Sequence, residues 1–242
     1  MSVGVDHIDL KKCHERGIVV KSTPGVLTDC TADLAITLLL TTLRKVAQSI
    51  QIVKTKDAWG PWSPLQFCGT SLSGKTVGIF GMGQIGQAIA ERLVPFKPRE
   101  ILYTTGSGKA KDTGISITKF VAFEELLKRS DIIIISCSLN DKTREAFNMN
   151  VFKAMKPTSV LINVARGPVI NHDDLVVALR DNYINLVGLD VTVPEPISHM
   201  HPLVTEFANR VTIFPHIGSA TVETRQAMAN MAVDNLVQEL GI

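Results

Sequence analysis

Three side chains stand out for what they could do together. Arg166 follows the apolar run "SVLINVA" and precedes Gly167-Pro168. Glu195 lies between Pro194 and Pro196, so its backbone has little freedom. His216 sits in "FPHIGS", directly after a proline. A carboxylate beside an imidazole fixes the ring tautomer and favours the protonated ring, a good acid near neutral pH. An arginine holds a carboxylate with its forked donors, or polarises a carbonyl. Acid, orienting carboxylate and cation together suit the reduction of a carbonyl group. His199 and His201, in the same stretch as Glu195, read as structural or solvated residues.

A reduction needs an electron donor, and "GMGQIG" offers a place for one. Gly81, Gly83 and Gly86 fit G-x-G-x-x-G. The motif closes the apolar run "TVGIF" and opens the amphipathic "QIGQAIAERL", the context that makes this spacing informative. Gly81 permits the tight turn, Gly83 lets backbone approach a pyrophosphate, and Gly86 lets the helix pack on the strand. The helix start at Gln84 and Ile85 then faces the phosphates. The next strand ends in "LYTTGSGKAK". An NAD site usually carries Asp or Glu here for the ribose 2′-hydroxyl. Glu100 comes too early and Asp112 too late. Thr105, Gly106 and Ser107 offer hydroxyls and open backbone, and Lys109 and Lys111 add positive charge. A 2′-phosphate fits this chemistry, so NADPH is the expected cofactor, with NADH weaker.

These groups need a frame. From Thr76 onward, apolar β-branched runs alternate with helical periodicity. Strands are expected at Thr76–Gly81, Glu100–Thr105, Asp131–Ser136, Ser159–Ala165, Ile184–Val191 and Arg210–Pro215. Helices are expected at Gln84–Phe96 and Phe123–Ser130, from an N-cap at Asn171, and from about Thr221 to Leu240. Six strands with helical crossovers predict an α/β fold, a doubly wound parallel sheet of the Rossmann type. Before Thr76, "GIVVKSTPGVL" reads as one strand and a Pro-Gly turn, followed by one long helix from about Asp29 to Lys54. Both tryptophans, Trp59 and Trp62, then fall with Phe67 in an aperiodic Pro/Gly/Ser-rich arm. Loops seldom carry aromatics without burying them, so the arm is expected to pack on a partner surface.

Bulk properties remove other classes. The chain has 242 residues, 45% of them apolar, too many for a disordered chain. The net charge of +2 gives no reason to expect nucleic acid or a membrane surface as partner. Cys13, Cys30, Cys68 and Cys137 form no CxxC pair and have no histidine at metal-ligand spacing, which suits reduced thiols in a cytoplasmic protein without a metal. "MSVGVDHIDL" lacks the basic and apolar regions of a signal peptide, and "LAITLLL" is too short to span a bilayer.

Taken in order, "SVGVDHIDL", "TPGVLTD", "VGIFGMGQIGQAIA", "INVARGPVI", "GLDVTVPEP" and "PHIGSAT" resemble the D-isomer-specific 2-hydroxyacid dehydrogenases, and among them the glyoxylate/hydroxypyruvate reductases. The set runs almost from end to end. The resemblance implies Arg166 as substrate binder, Glu195 as orienting carboxylate and His216 as proton donor. It implies that the N–H groups of Val3 and Gly4 meet the substrate carboxylate. Asp190 would bind the nicotinamide carboxamide and Gly218 would lie near the ring, with Ser138 and Val164 also along the cofactor. The substrate would be a small 2-oxo acid, and the arm would serve a homodimer. It divides the chain into a remnant of a flavodoxin-like substrate domain (1–27), an interdomain helix and dimerisation arm (28–75), a dinucleotide-binding domain (76–220) and a terminal helix (221–242). With so little of the substrate domain, stronger cofactor binding than catalysis is expected. Related chains act instead as NAD(H)-binding corepressors, and an inactive nucleotide-binding fragment is the third alternative.

Overall fold

A computed structural model describes residues 1–242. The chain opens with a short helix α1 (Leu10–Glu15), then α2 (Thr28–Leu43) and α3 (Val46–Lys54). Strand and helix alternate from there: β1 (Thr76–Phe80), α4 (Gln84–Leu93), β2 (Glu100–Thr104), β3 (Thr118–Phe120), α5 (Phe123–Arg129) and β4 (Ile132–Ile135). The second half adds α6 (Met149–Ala154), β5 (Val160–Asn163), α7 (His172–Arg180), β6 (Leu186–Leu189), β7 (Val211–Ile213) and α8 (Val222–Leu240). The strands form one sheet in the order β3-β2-β1-β4-β5-β6-β7, every pair parallel. The order reverses between β1 and β4, so the fold is the expected doubly wound sheet. Its ligand crevice lies beyond the carboxyl ends of those two strands.

The reason is visible in β4. Its sequence is four isoleucines, all buried. Ile132 and Ile134 join the core under α2 and α4, with Leu38, Leu39, Ile79 and Ile89. Ile133 and Ile135 join the opposite core, with Leu126, Phe147, Phe152 and Leu175. Period-2 alternation thus feeds two apolar layers, and a strand apolar on both faces has no stable place except inside a helix-covered sheet. Each buried isoleucine contributes about 1.5–3 kcal/mol.

Four expectations about elements need correction. The sheet has seven strands, because Thr118–Phe120 adds an edge beside β2. The helix expected over Asp29–Lys54 is two, broken where Lys45 takes a left-handed conformation (φ 53°). The break follows from the returning arm: Thr70 donates its N–H to the Leu43 carbonyl, and a Cβ on Gly69 would overlap that same oxygen. The helix expected to reach Phe96 ends at Leu93, and Val94–Phe96, with Pro95, tightens into a 3-10 turn. The strand expected at "GIVVKS" is absent. No neighbouring strand pairs with it, and Ile18 and Val19 are exposed.

Ion pairs tie the amino ends of the strands together. Asp131 accepts from the Thr76 N–H (2.9 Å) and from Lys156 Nζ (2.8 Å). Glu100 accepts from Arg129 Nη2 (2.7 Å) and Lys119 Nζ (3.1 Å). Burial alone would raise the Asp131 carboxyl, but Lys156 and the Thr76 N–H outweigh it and hold it below the ordinary carboxylate range. A carboxylate lowered in the folded state contributes stability above its unfolded pKa and loses it as pH falls through the folded value. Asp131→Asn is therefore expected to lower Tm by roughly 2–8 °C at pH 7. The deficit should shrink as the pH falls below about 4, where the wild-type carboxyl also takes up its proton. Thermal melts of both proteins from pH 7 to pH 3 check this; a deficit constant across the range would contradict it.

Candidate active site

The glycine turn lies at the switch point. Gly81 has φ +107°, and a Cβ there would sit 2.7 Å from the Cys137 backbone after β4. Ser136 Oγ donates to the Gly81 carbonyl (2.9 Å), fastening the turn to the next strand. A Cβ on Gly86 would overlap the same carbonyl, so helix α4 can lie this close only with glycine at its start. Gly83 differs: a Cβ there meets nothing within 4 Å. Gly83 caps α4 with no side-chain bond, and the N–H groups of Gln84, Ile85 and Gly86 find no acceptor in the chain. Open space in front of unpaired N–H donors at a helix start is what a pyrophosphate requires.

The loop after β2 is held in a compact turn. Thr105 Oγ1 accepts the Lys109 N–H (3.2 Å) and donates to its carbonyl (2.7 Å), and Ser107 Oγ lies 3.2 Å from Thr105 Oγ1. Gly106 faces open space. Neither Lys109 nor Lys111 has a carboxylate partner, and Asp112 turns to the Gly114 N–H. Ser138 is exposed after β4, where its carbonyl accepts Thr143 Oγ1, and Val164 is buried after β5. Burial pushes the Cys137 thiol up to about 12, so it remains protonated beside the glycine turn. The residues present thus fit a dinucleotide.

Arg166, Asp190 and His216 follow β5, β6 and β7 on the same rim. His216 Nδ1 lies 2.5 Å from Glu195 Oε1, with both side chains part-exposed. His216 adopts φ 55°, and its N–H donates to the Asp190 carbonyl (2.9 Å). The buried Asp190 carboxylate accepts the next two N–H groups, Ile217 at 2.8 Å and Gly218 at 2.9 Å. Burial pushes the Asp190 carboxyl above the ordinary range, and those N–H groups with nearby His216 act against it. Asp190 thus clamps the turn that presents the imidazole. Arg166 is anchored by its own backbone. Asn163, fully buried at the end of β5, donates from Nδ2 to the Arg166 carbonyl (2.9 Å) and accepts the Ala165 N–H (3.0 Å). A Cβ on Gly167 would overlap the Thr192 carbonyl, so the arginine turn packs on the segment leading to Glu195. From the amino terminus, Gly4 comes against the Arg166 guanidinium, and the N–H groups of Val3 and Gly4 have no acceptor in the chain.

Sequence reading missed Asn163, Ser136 and Asp6. An asparagine closing a fully apolar run was a usable signal for the first. Ser136 gave little, because its partner is a carbonyl 55 residues away. Asp6 gave none, since its contact, Arg166 Nε at 3.2 Å, lies 160 residues away.

A parallel sheet reversing at a glycine turn binds nucleotides, and a proton-carrying pair on the same rim makes it the sheet of a nicotinamide-dependent oxidoreductase. The family model for the D-isomer specific 2-hydroxyacid dehydrogenase NAD binding domain matches residues 36–218. Mouse glyoxylate reductase/hydroxypyruvate reductase is 47% identical over 240 residues, covering 99% of this chain and 72% of its own length. Glyoxylate reductase of Thermofilum pendens is 41% identical, covering 99% and 70%. Among solved structures, an NADPH-dependent glyoxylate/hydroxypyruvate reductase of Sinorhizobium meliloti, in complex with NADP and malonate, superposes with a TM-score of 0.85 at 38% identity. That match covers 97% of this chain and 71% of that one. The chain belongs to the D-isomer-specific 2-hydroxyacid dehydrogenases. No helix is long and apolar enough to cross a membrane.

Proposed function

We propose that this chain reduces a small 2-oxo acid, hydroxypyruvate or glyoxylate, to D-glycerate or glycolate, with NADPH as hydride donor. The observation that carries the reading is the His216–Glu195 pair on one rim with Arg166. When bound, the cofactor supplies hydride to the carbonyl carbon. His216 gives its proton from Nε2 to the carbonyl oxygen, while Glu195 on Nδ1 holds the tautomer and offsets the ring's positive charge. Arg166 and the N–H groups of Val3 and Gly4 take the substrate carboxylate. Asp190, Gly218, Ser138 and Val164 line the nicotinamide half. Curated relatives are named for glyoxylate and hydroxypyruvate, which supports this substrate class. In domain terms, we read residues 1–27 as the substrate side, 28–75 as the connecting helices and arm, 76–220 as the nucleotide side and 221–242 as the terminal helix.

The preference for NADPH rests on the loop after β2, where no carboxylate faces Thr105–Ser107 and Lys109 is unpaired. A solved relative described as NADPH-dependent supports it. Turnover of hydroxypyruvate followed at 340 nm, with NADPH and NADH titrated separately, tests both claims. Absence of turnover with either cofactor would sink the activity, and equal or tighter NADH binding would sink the preference.

We also propose a homodimer. Trp59, Trp62 and Leu65 of the arm are exposed in the single chain, and Ile50 and Val53 of α3, also exposed, line one groove with Phe67 of the arm. Exposed apolar surface of this kind marks a contact face. Light scattering is expected to give twice the chain mass of 26.4 kDa; a clean monomer would refute the proposal.

A further inference from the structure

Arg166 has a fixed backbone and a long, mobile side chain. Asn163 pins its carbonyl, but the guanidinium has only two anchors: Nη1 donates to the Ala165 carbonyl (2.8 Å) and Nε to Asp6 Oδ1 (3.2 Å). The first comes from the neighbouring residue and travels with the same turn. Only Asp6 ties the guanidinium to a different part of the fold. Both side chains are about a quarter exposed, 28% for Arg166 and 27% for Asp6, so the pair is sheltered without being sealed.

The amino-terminal segment is built to present that carboxylate. Thr23, itself buried, fastens Ser2 with its N–H and hydroxyl on the Ser2 carbonyl (2.9 and 3.2 Å). Ser2 Oγ donates to the Gly4 carbonyl (2.6 Å), and the Ile8 N–H closes the turn on Val5 (3.0 Å). A Cβ on Gly4 would overlap Arg166 Nη2 and lie 2.6 Å from Asp6 Oδ1, so the missing side chain is what lets the pair form. Because Asp6 occupies Nε, the Nη2 donors and the outer Nη1 donor stay free for a ligand.

We propose that Asp6 is a positioning residue: it holds the Arg166 guanidinium in the orientation that receives the 2-oxo acid. The inference rests on the proposed reductase activity. It makes the amino-terminal segment a contributor to substrate affinity through Arg166, apart from any contact of its own with substrate. Guanidinium placement off by about 1 Å costs on the order of a hundredfold in a well-aligned site.

The test compares Asp6→Asn, Asp6→Glu, Arg166→Ala and the double variant Asp6→Asn/Arg166→Ala in the full chain. Asp6→Asn is expected to raise KM for hydroxypyruvate about tenfold, with a smaller loss in kcat and NADPH affinity within twofold of wild type. Asp6→Glu restores part of the KM. In the Arg166→Ala background the Asp6 change has no further effect. If it costs as much there as in wild type, Asp6 serves only the fold of its own segment and the proposal fails. A KM that falls in Asp6→Asn also overturns it, because the carboxylate would then be competing with substrate for the arginine. A second readout needs no turnover: the Arg166 Nε–H resonance, assigned by its loss in Arg166→Lys, is expected to be protected from exchange in wild type and not in Asp6→Ala, where no side-chain oxygen remains to accept it. A wild-type protein that reduces no 2-oxo acid would sink the activity reading. Equal exchange in both proteins would sink the positioning role.

Discussion

Replacing His216 with alanine is expected to lower kcat for 2-oxo acid reduction about a hundredfold or more, with NADPH affinity within twofold of wild type. General acid catalysis contributes on the order of 10²–10⁴ in rate, and no other proton carrier is held at this position. The imidazole is presented by a built turn: φ 55° at His216, its N–H on the Asp190 carbonyl, and Asp190 clamping Ile217 and Gly218. Alanine leaves that clamp intact, so the loss should appear in the chemical step and not in the fold. Glu195→Gln should cost less, since the amide still accepts a hydrogen bond from Nδ1 but no longer offsets the charge on the ring. Near-normal kcat in His216→Ala would show that the proton donor lies elsewhere.

The glycine turn should separate stability from binding. Gly83→Ala is expected to leave Tm within about 2 °C while raising the Kd for NADPH tenfold or more. Gly83 has φ −77° and ψ −161°, ordinary for alanine, and its Cβ would enter space that no protein atom fills. The cost therefore arises only when a pyrophosphate needs that space. Gly81→Ala is expected to lower Tm by roughly 5–15 °C, because overpacking and an unfavourable φ each cost about 1–3 kcal/mol. Its Cβ would collide with the Cys137 backbone at φ +107°, and neither side can yield cheaply. Thermal melts and fluorescence titrations of the two variants check the contrast. An unstable Gly83→Ala with normal affinity per folded molecule would reverse the assignment.

The strands were legible because of where they lie. β1, β2 and β4 to β7 are covered on both faces, so each reads as an apolar run. β3 is three residues on an edge with Lys119 exposed at its centre, and unlike β7, the other edge, it has no buried residue to leave such a run. The break at Lys45 was hidden because its cause, the docking of Gly69 and Thr70 on Leu43, lies some 25 residues downstream. The positions of Arg166, Glu195 and His216 could be read because proline and glycine punctuate the strand ends that carry them. Their geometry could be read only as far as local spacing reaches. His216 with Glu195 was expected, and the structure brings them together. Asp6 on Arg166 joins two distant segments, and neither residue advertises the other.

The strand order also bears on how the chain is made. β1 finds its first neighbour, β2, soon after leaving the ribosome, but its other neighbour is β4. Between the end of β1 and the end of β4 the ribosome must add about 55 residues, which takes roughly 3–11 s at ordinary rates of elongation. Through that interval the strand that ends in the glycine turn stands as an open, mostly apolar edge. The isoleucines of β4 close that edge and add the central layer of the core.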